Sequence, residues 1–172
     1  GGVAAWRAVD GPMDTGPFGA PAAGRFSVRA SVGAQIIDQA TILALIAAGN
    51  LGQLADARPT PRFTGDEKEP RPGLRSGHIP GSFNVPLKSL VEDDGTFKSI
   101  ADIKDAFLAG GIDPNRPMIT SCGSGVTACG LALGLALAGN EQVFVYDGSW
   151  TEWGSSDAPL ETGRAAVCAP KP

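Results

Sequence analysis

Cys122 stands between a short apolar run, "PMITS", and "CGSGVTACGLALGLALAG", where the chain passes through two glycines into a long Ala/Leu segment. A cysteine does nucleophilic chemistry as its thiolate, so its surroundings must favour a negative sulfur. Gly123 and Gly125 let the backbone curl until several N–H groups face one anion. A helix beginning near Gly125 would add the positive end of its dipole. Cys122 is therefore expected to be a nucleophile, within a loop formed by Gly123, Ser124, Gly125, Val126 and Thr127. Thr127 is expected to cap the helix or bond within the loop.

Two chemistries use a cysteine in such a cradle, phosphoryl transfer and sulfur transfer. Cysteine phosphatases follow a C-x5-R pattern whose arginine grips the phosphate, but the corresponding position here is Ala128. Without that bidentate guanidinium the clamp for a dianion is gone, which disfavours phosphatase activity. Sulfur transfer asks for less: the thiolate attacks an activated sulfur and the cradle holds the persulfide. Cys129 lies two helical turns further on, among Ala and Leu, and is expected in the core. Cys168 falls in an Ala/Pro tail and is expected to be incidental.

Composition narrows the partners. The 172 residues carry 14 Lys+Arg against 18 Asp+Glu, a net charge of −4, with no basic block to attract nucleic acid or an anionic membrane surface. The longest apolar stretch, 128–139, is about half of the roughly 20 residues that span a bilayer, so a buried helix is expected there. Three cysteines without a CxxC pair, and one histidine, make neither a disulfide framework nor a metal site. Reduced thiols in a cytoplasm fit this pattern.

The elements that must position Cys122 alternate between extended and helical. "QIIDQATILALIAAG" has helical spacing and ends at Gly49-Asn50, so a helix is expected over 35–48. "QLADAR" (53–58) is a strand whose end carries Asp56 and Arg58. The following "PTPRFTGDEKEPRPGLRSGHIPG" has too many prolines and glycines for regular structure, and a loop of that length in a compact domain is usually functional. "SFNVP" gives a short strand. Ser99 and Asp102 resemble a capping box before a helix that stops at Gly110-Gly111. "PMITS", a helix over 125–139 and "QVFVYD" follow. This alternation predicts an α/β fold with a parallel central sheet flanked by helices on both faces, in which ligands bind beyond the carboxyl ends of the strands.

The loop "CGSGVTAC" resembles the active-site loop of the 3-mercaptopyruvate sulfurtransferases in the rhodanese superfamily. "DARPTPRFTGDEKEPRPGLRSGHIPGSFNVP" is similar to that family's C-terminal domain, and "VYDGSWTEWG" to its closing strand and turn. The resemblance implies a rhodanese-like fold and transfer of sulfur from 3-mercaptopyruvate through a Cys122 persulfide, with release of pyruvate. The acceptor would be cyanide or a thiol, such as a small thiol or a thioredoxin-like protein. It implies no metal or organic cofactor. Arg62 and Arg71 would bind the substrate, and Ser124 would polarise it, relay a proton, or simply bond within the turn. Asp56 and Arg58 would be active-site residues or a structural ion pair. His78 is expected to belong to the loop architecture rather than to a Cys–His dyad. Thiosulfate sulfurtransferases carry basic residues where Gly123 and Ser124 stand, and the neutral pair suits a monocarboxylate donor better than a compact dianion. Thiosulfate:cyanide transfer and a non-catalytic persulfide carrier are the alternatives.

Gly1 and Trp6 in "GGVAAW" repeat the spacing of Gly148 and Trp153 in "GSWTEW". Residues 1–24 are accordingly expected to be the end of a preceding rhodanese-like domain plus a linker. Residues 25–165 would form the catalytic domain and 166–172 a tail. The N-terminal domain of the same protein would then be a partner, contributing to a site at the domain interface.

Overall fold

A computed structural model describes residues 1–17, 19–27 and 35–164. Cys168 and the expected tail lie outside them. The elements are α1 (Gly2–Ala8), β1 (Gln35–Ile37), α2 (Gln39–Ala47), β2 (Gln53–Asp56), α3 (Thr60–Thr64), β3 (Phe83–Asn84), a 3-10 turn at Leu87–Leu90, α4 (Ile100–Ala109), β4 (Met118–Ser121), α5 (Val126–Leu137), β5 (Val143–Tyr146) and α6 (Ser149–Trp153). All strand pairings are parallel, in the order β1-β5-β4-β2-β3.

Alternation along the strands builds two apolar layers, because successive side chains leave a strand on opposite faces. Ala55, Met118, Val143 and Val145 pack with Ile103 and Phe107 of α4 and Leu131 and Leu135 of α5. Leu54, Ile119 and Tyr146 pack with Ile42 of α2 and Trp150 and Trp153 of α6. Helices therefore cover both faces, as the alternation predicts. Cys122 continues the alternation beyond β4 and joins the α4/α5 layer. Gly134 lets α5 lie against the 3-10 turn: a Cβ there would stand 2.6 Å from a Leu90 methyl. Close seating of α5 puts its first turn beside the end of β4.

Three expectations are corrected. The helix expected over 35–48 is a strand followed by a helix. Ile36 pairs with Val145 in β5, and Asp38 breaks the pattern by capping α2, its carboxylate accepting the Thr41 N–H at 2.8 Å. The long loop contains regular structure, because Pro61 fits the first turn of α3 and Gly65 ends it in the left-handed region, φ 85°. Cys129 is exposed, not in the core, because α5 is apolar on both faces and turns Val126, Cys129, Leu133 and Leu137 outward. No helix among the described residues is long and apolar enough to cross a membrane.

Candidate active site

Cys122 is the first residue after β4, and its side chain is buried. The Ser124 N–H points back at Sγ over 3.4 Å. Gly125 then enters α5 at φ 81°, a conformation natural to glycine, and a Cβ there would stand 2.7 Å from the Asp147 carbonyl oxygen. The loop thus closes tightly into a helix whose first N–H groups have no intrahelical partner. Thr127 supplies no cap, since Gly125 occupies that position; it lines the cleft above the sulfur.

α6 holds this loop from below. Trp150 N–H donates to the Cys122 carbonyl and Thr151 N–H to the Gly123 carbonyl, each at 2.9 Å. Ser149 Oγ accepts from Cys122 N–H at 3.0 Å and Gly125 N–H at 3.1 Å, and donates to the Tyr146 carbonyl at 2.8 Å. Its only proton being used there, Ser149 braces the cradle and does not serve Sγ, 3.9 Å away. Burial and a hydrogen bond to Glu152 push the Tyr146 phenol upward.

Above the loop lies a cleft of about 620 Å³ lined by Cys122, Ser124, Val126, Arg62, Arg71 and Lys88, among others. Its second wall is the segment after β2, held by a buried charge network. Arg58, 1% exposed, donates through Nη2 to Asp56 Oδ2 at 2.7 Å and to the Gly77 carbonyl at 2.8 Å, and through Nη1 to Glu69 Oε1 at 2.8 Å. Its guanidinium also lies over the Trp150 ring, 4.3 Å from the centroid. Asp56 and Arg58 therefore form an ion pair that ties the loop to α6, and Arg58's Nε and Nη2 donors are taken by Asp56 and the Gly77 carbonyl.

Glu69 bridges this network to Arg62, whose Nε donates to Oε1 at 3.2 Å and whose Nη2 donates to Oε2. That hydrogen bond, with the nearby charge, raises the Arg62 pKa, so the cation is secure. Arg62 Nη2 lies close to the loop: a Cβ on Gly123 would meet it at 3.2 Å. Arg71 reaches the same loop indirectly, donating to Thr151 Oγ1, which donates to the Gly123 carbonyl at 2.6 Å. Arg62 and Arg71 thus converge on the Cys122 loop from the long segment.

His78 does not line this cleft. It is buried against Phe63, ring centroids 3.9 Å apart, with Nδ1 bonded to the Phe63 carbonyl at 2.8 Å, and it bridges to Glu161. Burial lowers its pKa more than these partners raise it. Glu69, Ser149, Thr151 and Lys88 were not foreseen from the sequence as parts of the site. The signals available were Glu69's place two residues before Arg71, and the hydroxyls of "GSWTEW" beside the strand end.

Residues 38–156 match the model of the rhodanese-like domain. Over 162 residues the chain is 40% identical to the 3-mercaptopyruvate sulfurtransferase of Escherichia coli (strain K12), covering 94% of this chain and 56% of that protein. It is 45% identical over 101 residues to the thiosulfate sulfurtransferase of Gallus gallus, covering 59% of this chain and 34% of that one. Among solved structures it is similar to SseA from Escherichia coli, with a TM-score of 0.68 and 35% identity over 87% of this chain and 54% of the other. The chain spans about half the length of the bacterial relative it matches. With a parallel sheet that delivers a cysteine into a glycine-lined cradle, and a domain match running from the cap of α2 to the turn after α6, this chain belongs to the rhodanese-like family.

Proposed function

We propose that this chain is the catalytic domain of a 3-mercaptopyruvate sulfurtransferase. The observation that carries the reading is the placement of Cys122 Sγ under the Ser124 backbone N–H in a cleft lined by Arg62 and Arg71. Relatives named for 3-mercaptopyruvate and for thiosulfate match at 40% and 45% identity, so identity alone does not choose the donor. The loop supports a choice: the residues that follow Cys122, Gly123 and Ser124, are neutral, and the cations reach the loop from the long segment, where Arg62 and Arg71 line the cleft. A monocarboxylate with its sulfur on the third carbon suits that arrangement better than a compact dianion.

In the first step the Cys122 thiolate attacks the donor's sulfur. The S–S bond forms as the C–S bond breaks, its electron pair passing to the carbon skeleton as the enolate of pyruvate, which then takes a proton. Arg62 and Arg71 hold the carboxylate and keto oxygens. The Ser124 N–H faces the sulfur, and with the positive end of the α5 dipole it stabilises negative charge there. Ser124's hydroxyl polarises the substrate or relays the proton. In the second step an acceptor thiolate, from a small thiol or a thioredoxin-like protein, or cyanide attacks the outer sulfur and Cys122 leaves as thiolate.

Residues 1–24 are, in this reading, the end of a preceding rhodanese-like domain and a linker. Gly1 and Gly148 each cap a short helix, the next residues, Gly2 (φ 61°) and Ser149 (φ 49°), share the left-handed region, and a Trp follows at the same spacing. Trp153 is buried, whereas Trp6 is 48% exposed. That contrast fits a turn separated from the layer it would cover.

The test is intact mass after donor treatment, combined with pyruvate release. Parent, Cys129→Ser and Cys168→Ser proteins gain one sulfur atom from 3-mercaptopyruvate, and Cys122→Ser does not. A sulfur adduct retained in Cys122→Ser overturns the assignment.

A further inference from the structure

We propose that the Thr151 hydroxyl is a positioning group that aims Arg71 into the cleft above Cys122, an inference that rests on the sulfurtransferase reading. A threonine hydroxyl has one proton and two lone pairs. Its Oγ1 lies 2.6 Å from the Gly123 carbonyl, which can only accept, so the proton is committed there. A lone pair is left to accept from Arg71 Nη1. The hydroxyl therefore has a fixed polarity, and it presents an acceptor where the arginine needs one.

Arg71 needs such a guide. It sits between Pro70 and Pro72 on an exposed stretch, and among the described residues no acidic side chain pairs with it. Arg62, by contrast, is gripped by Glu69. An unguided arginine on a loop must be ordered whenever a carboxylate binds, which weakens binding. The nucleophile loop does not depend on the same hydroxyl. Thr151 N–H and Trp150 N–H hold the Gly123 and Cys122 carbonyls at 2.9 Å through the backbone. Removing the hydroxyl therefore separates orientation of Arg71 from integrity of the loop.

The experiment uses Thr151→Val, which keeps shape and β-branching, and Thr151→Ser, which restores the hydroxyl. KM for 3-mercaptopyruvate should rise about three- to tenfold in Thr151→Val with kcat nearly unchanged, and return toward the parent in Thr151→Ser. In an Arg71→Ala background the valine should add little. An independent readout is the mobility of the Arg71 Nε–H in NMR relaxation without any donor: restricted in the parent, released in Thr151→Val and restricted again in Thr151→Ser. An equal KM effect with and without Arg71, an equal fall in kcat, or unchanged Arg71 mobility overturns the inference. Absence of a Cys122 persulfide in the parent protein overturns the sulfurtransferase reading, and the mobility measurement still decides whether Thr151 orders Arg71.

Discussion

The Ser149 hydroxyl accepts the backbone N–H of Cys122 at 3.0 Å, so the main chain of that cysteine is fixed by a side chain 27 positions away, at the start of α6. The same oxygen accepts from Gly125 and is aimed by the Tyr146 carbonyl. One atom thus joins the end of β4, the start of α5 and the end of β5. Ser149 is held at φ 49°, a conformation uncommon for a residue with a side chain, and the three hydrogen bonds offset that strain.

Ser149→Ala should therefore destabilise the domain and slow persulfide formation together. Two buried N–H groups lose their acceptor while the left-handed backbone persists. Each unsatisfied donor costs about 1–3 kcal/mol, so a loss of about 2–6 kcal/mol is expected. Urea unfolding and the rate of sulfur uptake by Cys122 check the two effects. A variant of unchanged stability that transfers sulfur at the parent rate would show that the brace is dispensable.

Glu69→Gln should couple stability to substrate binding. The buried carboxylate answers both Arg58 and Arg62, and the neutral amide leaves their charges less compensated. Arg58 keeps Asp56, so the loss should be smaller than for a fully broken buried pair, about 2–3 kcal/mol. Arg62 is freed to wander, and KM for 3-mercaptopyruvate should rise more than kcat falls. Arg62→Ala shares the KM effect but spares the Arg58 network. Its unfolding midpoint should therefore lie closer to the parent's than that of Glu69→Gln.

His78 gives stability a dependence on pH. Its folded pKa is lowered, chiefly by burial, from an unfolded value near 6.5. As pH falls below about 6.5 the unfolded chain takes up the proton first. Stability therefore declines with acidification until the folded pKa is passed, and is fully present above the unfolded value. Unfolding midpoints measured from about pH 5 to 7.5 should show this acid-side slope in the parent and a reduced slope in His78→Gln. An unchanged slope would place the titration elsewhere. Sulfur transfer should show no such histidine-specific limb, because His78 packs behind Phe63, away from the cleft.

What could be read in the sequence was local chemistry. Cys122 stood out because a glycine turn follows a buried strand, and both facts lie within a few residues. The parallel sheet followed from alternating elements. β1 merges with α2 into one expected helix because "QII" suits either period, and what decides it is pairing with β5, more than a hundred residues on. Cys129 was misplaced because α5 is apolar all round, so periodicity carries no information about its buried face. Glu69 escaped notice because its partners, Arg58 and Arg62, approach it only through the folded course of the long loop.

The neutral loop makes donor choice testable by charge. Gly123→Arg with Ser124→Lys would place two cations beside the nucleophile, where the compact thiosulfate dianion can reach both. A charge-assisted contact contributes about 1.5–3 kcal/mol, so each one formed would raise thiosulfate use relative to 3-mercaptopyruvate by about one to two orders of magnitude. The geometry sets a condition on this gain. A Cβ at Gly123 meets Arg62 Nη2 at 3.2 Å, so the new arginine crowds a like charge and displaces Arg62 toward Glu69. Mercaptopyruvate should lose on two counts, a shifted Arg62 and the missing Ser124 hydroxyl, while Arg71 and Thr151 remain in place. The single variant Ser124→Lys separates these effects, since it adds charge without touching Arg62's space and should win part of the thiosulfate gain with a smaller loss of mercaptopyruvate use. Measuring kcat/KM for both donors in the parent, single and double variants decides the matter. A donor ratio that stays constant across the three would mean that charge beside the sulfur does not select the substrate.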